Sequence, residues 1–144
     1  MSAPYLDTSA LAKWYLNEPH AEAFEAYITR QTSAAISRLT VVEFRCLLAR
    51  RRRAGDFTRA HESSVQRAFE QDIGSGALRV HAVADQHLLT AVGLIERLPK
   101  HPLRTLDAIH LAIVLDLGAE TLATADRTMA EAAKALGLEV VKFY

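Results

Sequence analysis

Four acids, Asp7, Glu43, Asp107 and Asp126, each stand in a setting that a carboxylate needs a reason to occupy. Asp7 follows the short apolar run Ala3 to Leu6 and precedes Thr8-Ser9-Ala10-Leu11, which reads as a buried strand turning into a helix. Asp126 repeats that placement after Thr121-Leu122-Ala123-Thr124-Ala125. Asp107 lies in the first turn of Thr105 to Leu115, a stretch apolar almost all round and so expected as a buried helix. Glu43 sits within the stripe Leu39, Val42, Cys46, Leu47, Ala49, where burying it unpaired is costly. Carboxylates brought close together raise one another's pKa unless a cation joins them. Oxygen donors without Cys or paired His suit Mg²⁺ or Mn²⁺, which keep water and bind phosphate oxygens. An ion so held lowers the pKa of a bound water and stabilises a phosphodiester during in-line attack.

Each acid also has a structural reading. An Asp between strand and helix is a common N-cap, which applies to Asp7 and Asp126 alike, although Thr8 or Ser9 can cap the first helix instead. Thr105 can cap the buried helix, with Asp107 favourably near its positive end. Thr40 and Glu43 have capping-box spacing, a reading that fails if Ser37 is the true cap; both are open. His110, one turn after Asp107, reads as a satisfied core histidine, with no second His or Cys at metal-ligand spacing.

The elements that must position these residues alternate. A strand over Ala3 to Leu6 leads into a helix through Tyr15, broken at Asn17-Glu18-Pro19. A helix with Ala23, Phe24, Tyr27 and Ile28 on one side follows, then a strand at Ala34 to Ile36 and a helix from Arg38 to Arg53 opened by Ser37. Asp56 to about Asp72 is expected as a helix, Gly74-Ser75-Gly76 as a turn, Leu78 to Val83 as a strand and Asp85 to Leu98 as a helix. After Pro99 and Pro102 come the Asp107 helix, the Thr121 strand, a helix from Arg127 to Leu136 closed by Gly137, and a last strand over Glu139 to Tyr144. Such alternation predicts an α/β fold, a three-layer α/β/α sandwich around a mainly parallel sheet of about four to five strands. Parallel crossovers put strand ends and the starts of following helices on one edge, where the four acids can share a pocket.

At 144 residues the chain is expected to form a single domain over 1–144. Seventeen Lys and Arg balance seventeen Asp and Glu, so net charge gives no argument for a polyanionic partner and nucleic-acid contact must rest on local patches. The one cysteine, Cys46, excludes an internal disulfide and a Cys-based zinc cluster, and no export signal or membrane-spanning run is seen, so a reducing, cytoplasmic setting is expected. Arg50-Arg51-Arg52-Arg53 reads as a solvated helix end that suits the dipole or as a contact with RNA phosphates. Trp14, Tyr15 and Tyr27 are expected in the core or an interface.

Taken in order, Leu6-Asp7-Thr8-Ser9, Thr40-x-x-Glu43, Arg104-Thr105-Leu106-Asp107-Ala108-x-His110-Leu111-Ala112 and Ala123-Thr124-Ala125-Asp126 resemble the PIN-domain ribonucleases, in particular the VapC-like toxins of bacterial toxin–antitoxin pairs. The resemblance spans nearly the whole chain. It implies that Asp7, Glu43, Asp107 and Asp126 are active-site residues, with Ser9 and Thr124 as supporting hydroxyls. It also implies Mg²⁺ or Mn²⁺ dependence, a homodimer, and a small antitoxin that reaches into the acidic pocket. No further acid lies beside Asp126, where some relatives carry one, which speaks against a fully occupied second metal site.

The expected activity is therefore metal-dependent endoribonuclease cleavage. Asp7 and Asp107 would be the main metal ligands, with Asp126 and Glu43 binding directly or through water. Glu43, crowded by acids and flanked by apolar residues, is expected to have a raised pKa and to orient or deprotonate the attacking water. Arg45, Arg50, Arg51, Arg52, Arg53 and Arg104 are candidate RNA contacts. The alternatives are a non-catalytic RNA- or protein-binding module and, less well matched, a receiver-like phosphoryl acceptor, for which Lys13, Lys100, Lys134 and Lys142 do not fall at suitable strand ends.

Overall fold

Tyr5 and Leu6 make up strand β1 (Tyr5–Leu6), and both are fully buried, on opposite faces of one sheet. A strand alternates its side chains, so two consecutive buried residues require a layer on each side. The computed structural model describes residues 2–144. It places β1 at the centre of a five-stranded sheet with β2 (Ala34–Ser37), β3 (Leu78–His81), β4 (Thr121–Thr124) and β5 (Glu139–Lys142) in the order β3-β2-β1-β4-β5, every pairing parallel. Tyr5 is in register with Ala35 on one side and Leu122 on the other.

The strand order reverses at β1, and right-handed crossovers then send helices to opposite faces. Helices α1 (Thr8–Tyr15), α2 (Ala21–Ile28), α3 (Arg38–Arg53) and α4 (Arg59–Gly74) cover one face, where Leu6, Leu11, Phe24, Phe44, Leu48 and Phe69 pack together. Helices α5 (Asp85–Arg97), α6 (Thr105–Leu117) and α7 (Arg127–Ala135) cover the other, around Tyr5, Leu94, Leu111, Leu122 and Met129. Each large side chain fully buried there stabilises the fold by about 1.5–3 kcal/mol. The expected three-layer α/β/α sandwich is what forms, with five strands, and β1 and β4 flank its switch point. No helix of the described residues is long and apolar enough to cross a membrane.

Several boundaries differ from the sequence expectation, each for a local reason. The cap of α1 is Asp7, whose Oδ1 accepts from Ala10 N at 2.9 Å, and not Thr8 or Ser9. Ser37 caps α3 with Thr40 as its reciprocal partner, so Glu43 is in no capping box. The buried face of α3 is Thr40, Phe44 and Leu48, while Val42 is 57% exposed and Cys46 is exposed. The aromatic Phe44, packed on Phe69 with ring centroids 4.8 Å apart, outweighs the aliphatic stripe that the spacing suggested. Helix α4 starts at Arg59 under a Thr58 cap and runs through Gly74, because Asp56 is engaged by Arg51 at 2.5 Å. Arg104, not Thr105, occupies the cap position of α6. Strand β3 ends at His81 and β5 at Lys142, short of Val83 and Tyr144. Trp14, Tyr15 and Tyr27 pack partly buried against the first core cluster, as expected.

Candidate active site

The switch point brings all four acids to one pocket. Asp7 follows β1, Asp126 follows β4, Asp107 lies in the first turn of α6 and Glu43 in the middle of α3; together with Thr8, Ser9, Arg104, His110 and Met129 they line a cavity of about 130 Å³. Asp7 N donates to Ala123 O at 3.3 Å, which fixes the end of β1 to β4 beside Asp126.

Three of the acids are aimed by the helices they begin. Asp7 Oδ1 accepts from Ala10 N, Asp126 Oδ1 from Met129 N at 3.1 Å, and Asp107 Oδ2 from Arg104 N at 3.3 Å. The capping readings are therefore correct for Asp7 and Asp126. A carboxylate offers about four lone pairs, however, so a cap leaves acceptor capacity over. Asp7 Oδ1 also accepts from Ser9 Oγ at 2.7 Å, and Oδ2 accepts from Thr124 Oγ1 at 2.5 Å, leaving one lone pair on Oδ2. Asp107 Oδ1 has no hydrogen-bond partner among the described residues, and Asp126 Oδ2 meets only Arg104 Nη2 at 3.4 Å.

Ser9 and Thr124 tie this arrangement together. Thr124 Oγ1 donates to Asp7 and accepts from Asp126 N at 3.0 Å, linking the first and last acids through one oxygen. Ser9 Oγ accepts from Ala125 N at 2.9 Å while donating to Asp7.

Glu43 is held differently. Its Oε1 accepts from Thr8 Oγ1 at 2.7 Å and faces His110 Nε2 at 2.5 Å; Oε2 has no partner among the described residues. His110 is 2% exposed and its Nδ1 lies 2.7 Å from Tyr5 Oη, which donates to Ser37 Oγ at 2.9 Å. His110 is thus a satisfied core histidine, as the sequence suggested, and its second function as a partner of Glu43 is a link between α3 and α6 that no spacing along the chain reveals. Thr8 was likewise missed.

The electrostatics separate the two kinds of acid. Burial raises the pKa of Asp7, and its donors, Thr124 first, only partly oppose this. Burial also acts to raise Glu43, but the hydrogen bond and positive charge of His110 and the hydrogen bond from Thr8 outweigh it and hold Glu43 below the usual carboxylate range. The expected raised pKa of Glu43 is therefore incorrect: its neighbours are donors, and the acid pushed upward is Asp7.

The arginines divide into two groups. Arg104 Nε lies 3.5 Å from Asp107 Oδ2 and its Nη2 reaches Asp126, so one guanidinium spans two acids at the mouth of the pocket. Arg50 lines a groove of about 700 Å³ that shares Thr8, Ser9, Glu43 and Arg104 with the acid pocket. Arg45 and Arg52 pair with Glu62, Arg51 pairs with Glu18 and Asp56, and Arg53 is exposed. Lys142 closes β5, yet it lies against Lys134 and the Tyr144 ring rather than in the acid pocket.

Among the described residues no three His, Cys, Asp or Glu side chains are already disposed around a metal position. The donor set nonetheless fits a hard cation, since it consists of carboxylate oxygens with uncommitted lone pairs, and Arg104 already supplies positive charge between two of them.

The chain matches the family model described as PIN domain over residues 5–135. It is 38% identical over 149 residues to Ribonuclease VapC46 of Mycobacterium tuberculosis, covering 98% of this chain and 98% of that one. Its structure is similar to that of VapC20 of M. tuberculosis, a sarcin-ricin loop cleaving toxin, with TM-score 0.70 and 19% identity over 94% of this chain and 96% of that one. It is also similar to VapBC2 of Rickettsia felis bound to a promoter DNA fragment, with TM-score 0.69 and 13% identity over 99% of this chain and 100% of that one. The two structural likenesses bear on the fold alone.

Proposed function

The chain belongs to the PIN-domain family, and from that premise we propose that it is a metal-dependent endoribonuclease, the toxin of a toxin–antitoxin pair, which hydrolyses RNA at Asp7, Glu43, Asp107 and Asp126. The observation that carries this reading is that four acids from four separate elements line one small pocket at the switch point of the sheet. The near full-length likeness to a ribonuclease supports it.

Asp7 and Asp107 would be the main ligands of Mg²⁺, or of Mn²⁺ in its place, with Asp126 and Glu43 binding directly or through water. The bound ion would supply a water of lowered pKa and neutralise charge developing on the phosphate. Thr124 and Ser9 hold the Asp7 carboxylate at the edge of the pocket that it lines. Glu43 remains ionised and orients water through Oε2. Arg104 and Arg50, on the groove, contact RNA phosphates, while Arg45, Arg51 and Arg52 are engaged by acids of their own.

A small antitoxin would occlude the pocket, the partner that a toxin of such a pair implies. A homodimer is supported by the outward face of α5, where Leu88, Leu89, Val92 and Ile95 are exposed. The lone, exposed Cys46 suits a cytoplasmic setting.

The second reading, a non-catalytic RNA- or protein-binding module, draws on the capping bonds of Asp7 and Asp126. Calorimetry with Mn²⁺ and cleavage of a mixed single-stranded RNA pool, for the wild type and Asp107→Asn, separate the two. Binding and cutting that both vanish in the folded variant support the nuclease; negligible binding and no cutting by the wild type favour the module.

A further inference from the structure

The three aspartates and Glu43 face different positioning problems. Each aspartate begins a helix, where unpaired backbone N–H groups are available to grip it. Glu43 lies in the interior of α3, where backbone N–H groups are committed within the helix, so only side chains can hold it. Two do so, Thr8 and His110, and both converge on Oε1. The other oxygen is left to the pocket.

We propose that His110 is a positioning residue that aims Glu43 Oε2 into the acid pocket, and that Tyr5 fixes the His110 ring in turn. An ionised carboxylate only accepts hydrogen bonds, so the His110 Nε2 facing Glu43 carries a hydrogen. Nδ1 is fixed by Tyr5 Oη, fully buried and itself anchored on Ser37, the cap of α3. The chain of contacts therefore runs from Glu43 within α3, through α6 and β1, to Ser37 at the end of β2, where α3 is capped. Two of its members stand next to other acids: Tyr5 is two residues before Asp7, and His110 one helical turn after Asp107. A movement of either element would shift Glu43 together with Asp7 or Asp107, so the chain of contacts couples the position of Glu43 to those two acids.

This inference rests on the proposed nuclease reading, and its test distinguishes the two. Mn²⁺ affinity by calorimetry, together with kcat and KM for RNA cleavage, is measured for the wild type, His110→Leu, His110→Gln, Glu43→Gln and the His110→Leu/Glu43→Gln double variant. His110→Leu is expected to weaken Mn²⁺ binding by about 10–100-fold, the range for partners of metal ligands, and to lower kcat with little change in KM. His110→Gln, which keeps a donor within reach of Glu43, should restore most of the loss. In the Glu43→Gln background His110→Leu should add little, since its target is already altered. Full additivity in the double variant, or a folded His110→Leu with wild-type affinity and kcat, overturns the proposal while leaving the nuclease intact. If His110→Leu does not fold, Tyr5→Phe and His110→Gln decide the question: a Tyr5→Phe loss that persists undiminished with Glu43→Gln overturns it. A wild type that neither binds Mn²⁺ nor cuts RNA overturns the nuclease reading itself, and this inference with it.

Discussion

Thr124 Oγ1 donates to Asp7 Oδ2 at 2.5 Å, joining residues 117 positions apart in the chain. The same oxygen accepts from Asp126 N, so one fully buried hydroxyl sets the distance between the ends of β1 and β4. Thr124→Val keeps the shape and removes the donor, leaving a buried carboxylate short of a partner. The expected cost is about 1–3 kcal/mol of stability, read as a lower denaturant midpoint, together with a marked loss of cleavage. Thr124→Ser should retain most of both. Equal stability in Thr124→Val and wild type would remove Thr124 from its assigned place.

Asp7 is expected to trade stability for function. Burial raises its folded pKa above the ordinary 3.8, so its contribution to stability is present below that value and is lost as pH rises through the folded pKa. Without metal, ionising Asp7 as pH rises through its folded pKa costs stability. Asp7→Asn should abolish metal-dependent cleavage yet raise Tm in the absence of metal at pH 7, with the gap closing as pH falls toward 4. Thermal melts across pH 4–8 check the sign, and a lower Tm for Asp7→Asn at pH 7 would contradict it.

Glu43 has the opposite sign. Its folded pKa lies below the ordinary 4.5 through His110 and Thr8, so its stabilisation is present above that value and is lost on acidification through the folded pKa. Urea unfolding between pH 2.5 and 6 should show a stability decline in the wild type that Glu43→Gln flattens. No break near pH 6 in the cleavage profile should be attributable to Glu43.

Arg104 neutralises Asp107 and Asp126 at 3.5 and 3.4 Å, in competition with any incoming cation, and its side chain is 79% exposed and free to swing away. Arg104→Ala is therefore expected to strengthen Mn²⁺ binding several-fold while raising KM for RNA. Calorimetry and cleavage kinetics on one preparation test both directions, and weakened Mn²⁺ binding would show that the guanidinium supports the metal site rather than competing with it.

The arginine run should divide by partner. Arg50→Ala, on the groove, should weaken RNA binding and reduce its salt dependence without changing Tm. Arg52→Ala, paired with Glu62 at 2.8 Å, should lower Tm and leave RNA affinity nearly unchanged. Fluorescence anisotropy with single-stranded RNA at two salt concentrations, beside melting curves, separates these outcomes.

The alternation of apolar runs, turn residues and helical periodicity by itself determined the layer order and the parallel sheet, because strand and helix periods are local properties of the chain. It also placed the acids of Asp7, Asp107 and Asp126 at element ends, where topology alone sends them to one edge. Only the tertiary structure decided the rest. Which face of α3 is buried depended on Phe44 meeting Phe69, a contact between two helices. The pKa of Glu43 follows from Thr8 and His110, partners 35 and 67 residues away, so weighing only the other acids and the apolar flanks gives the wrong sign. Arg50 and Arg52 are two residues apart in one run, yet one faces the groove and the other an acid on α4, since a helix turns adjacent side chains to different surroundings.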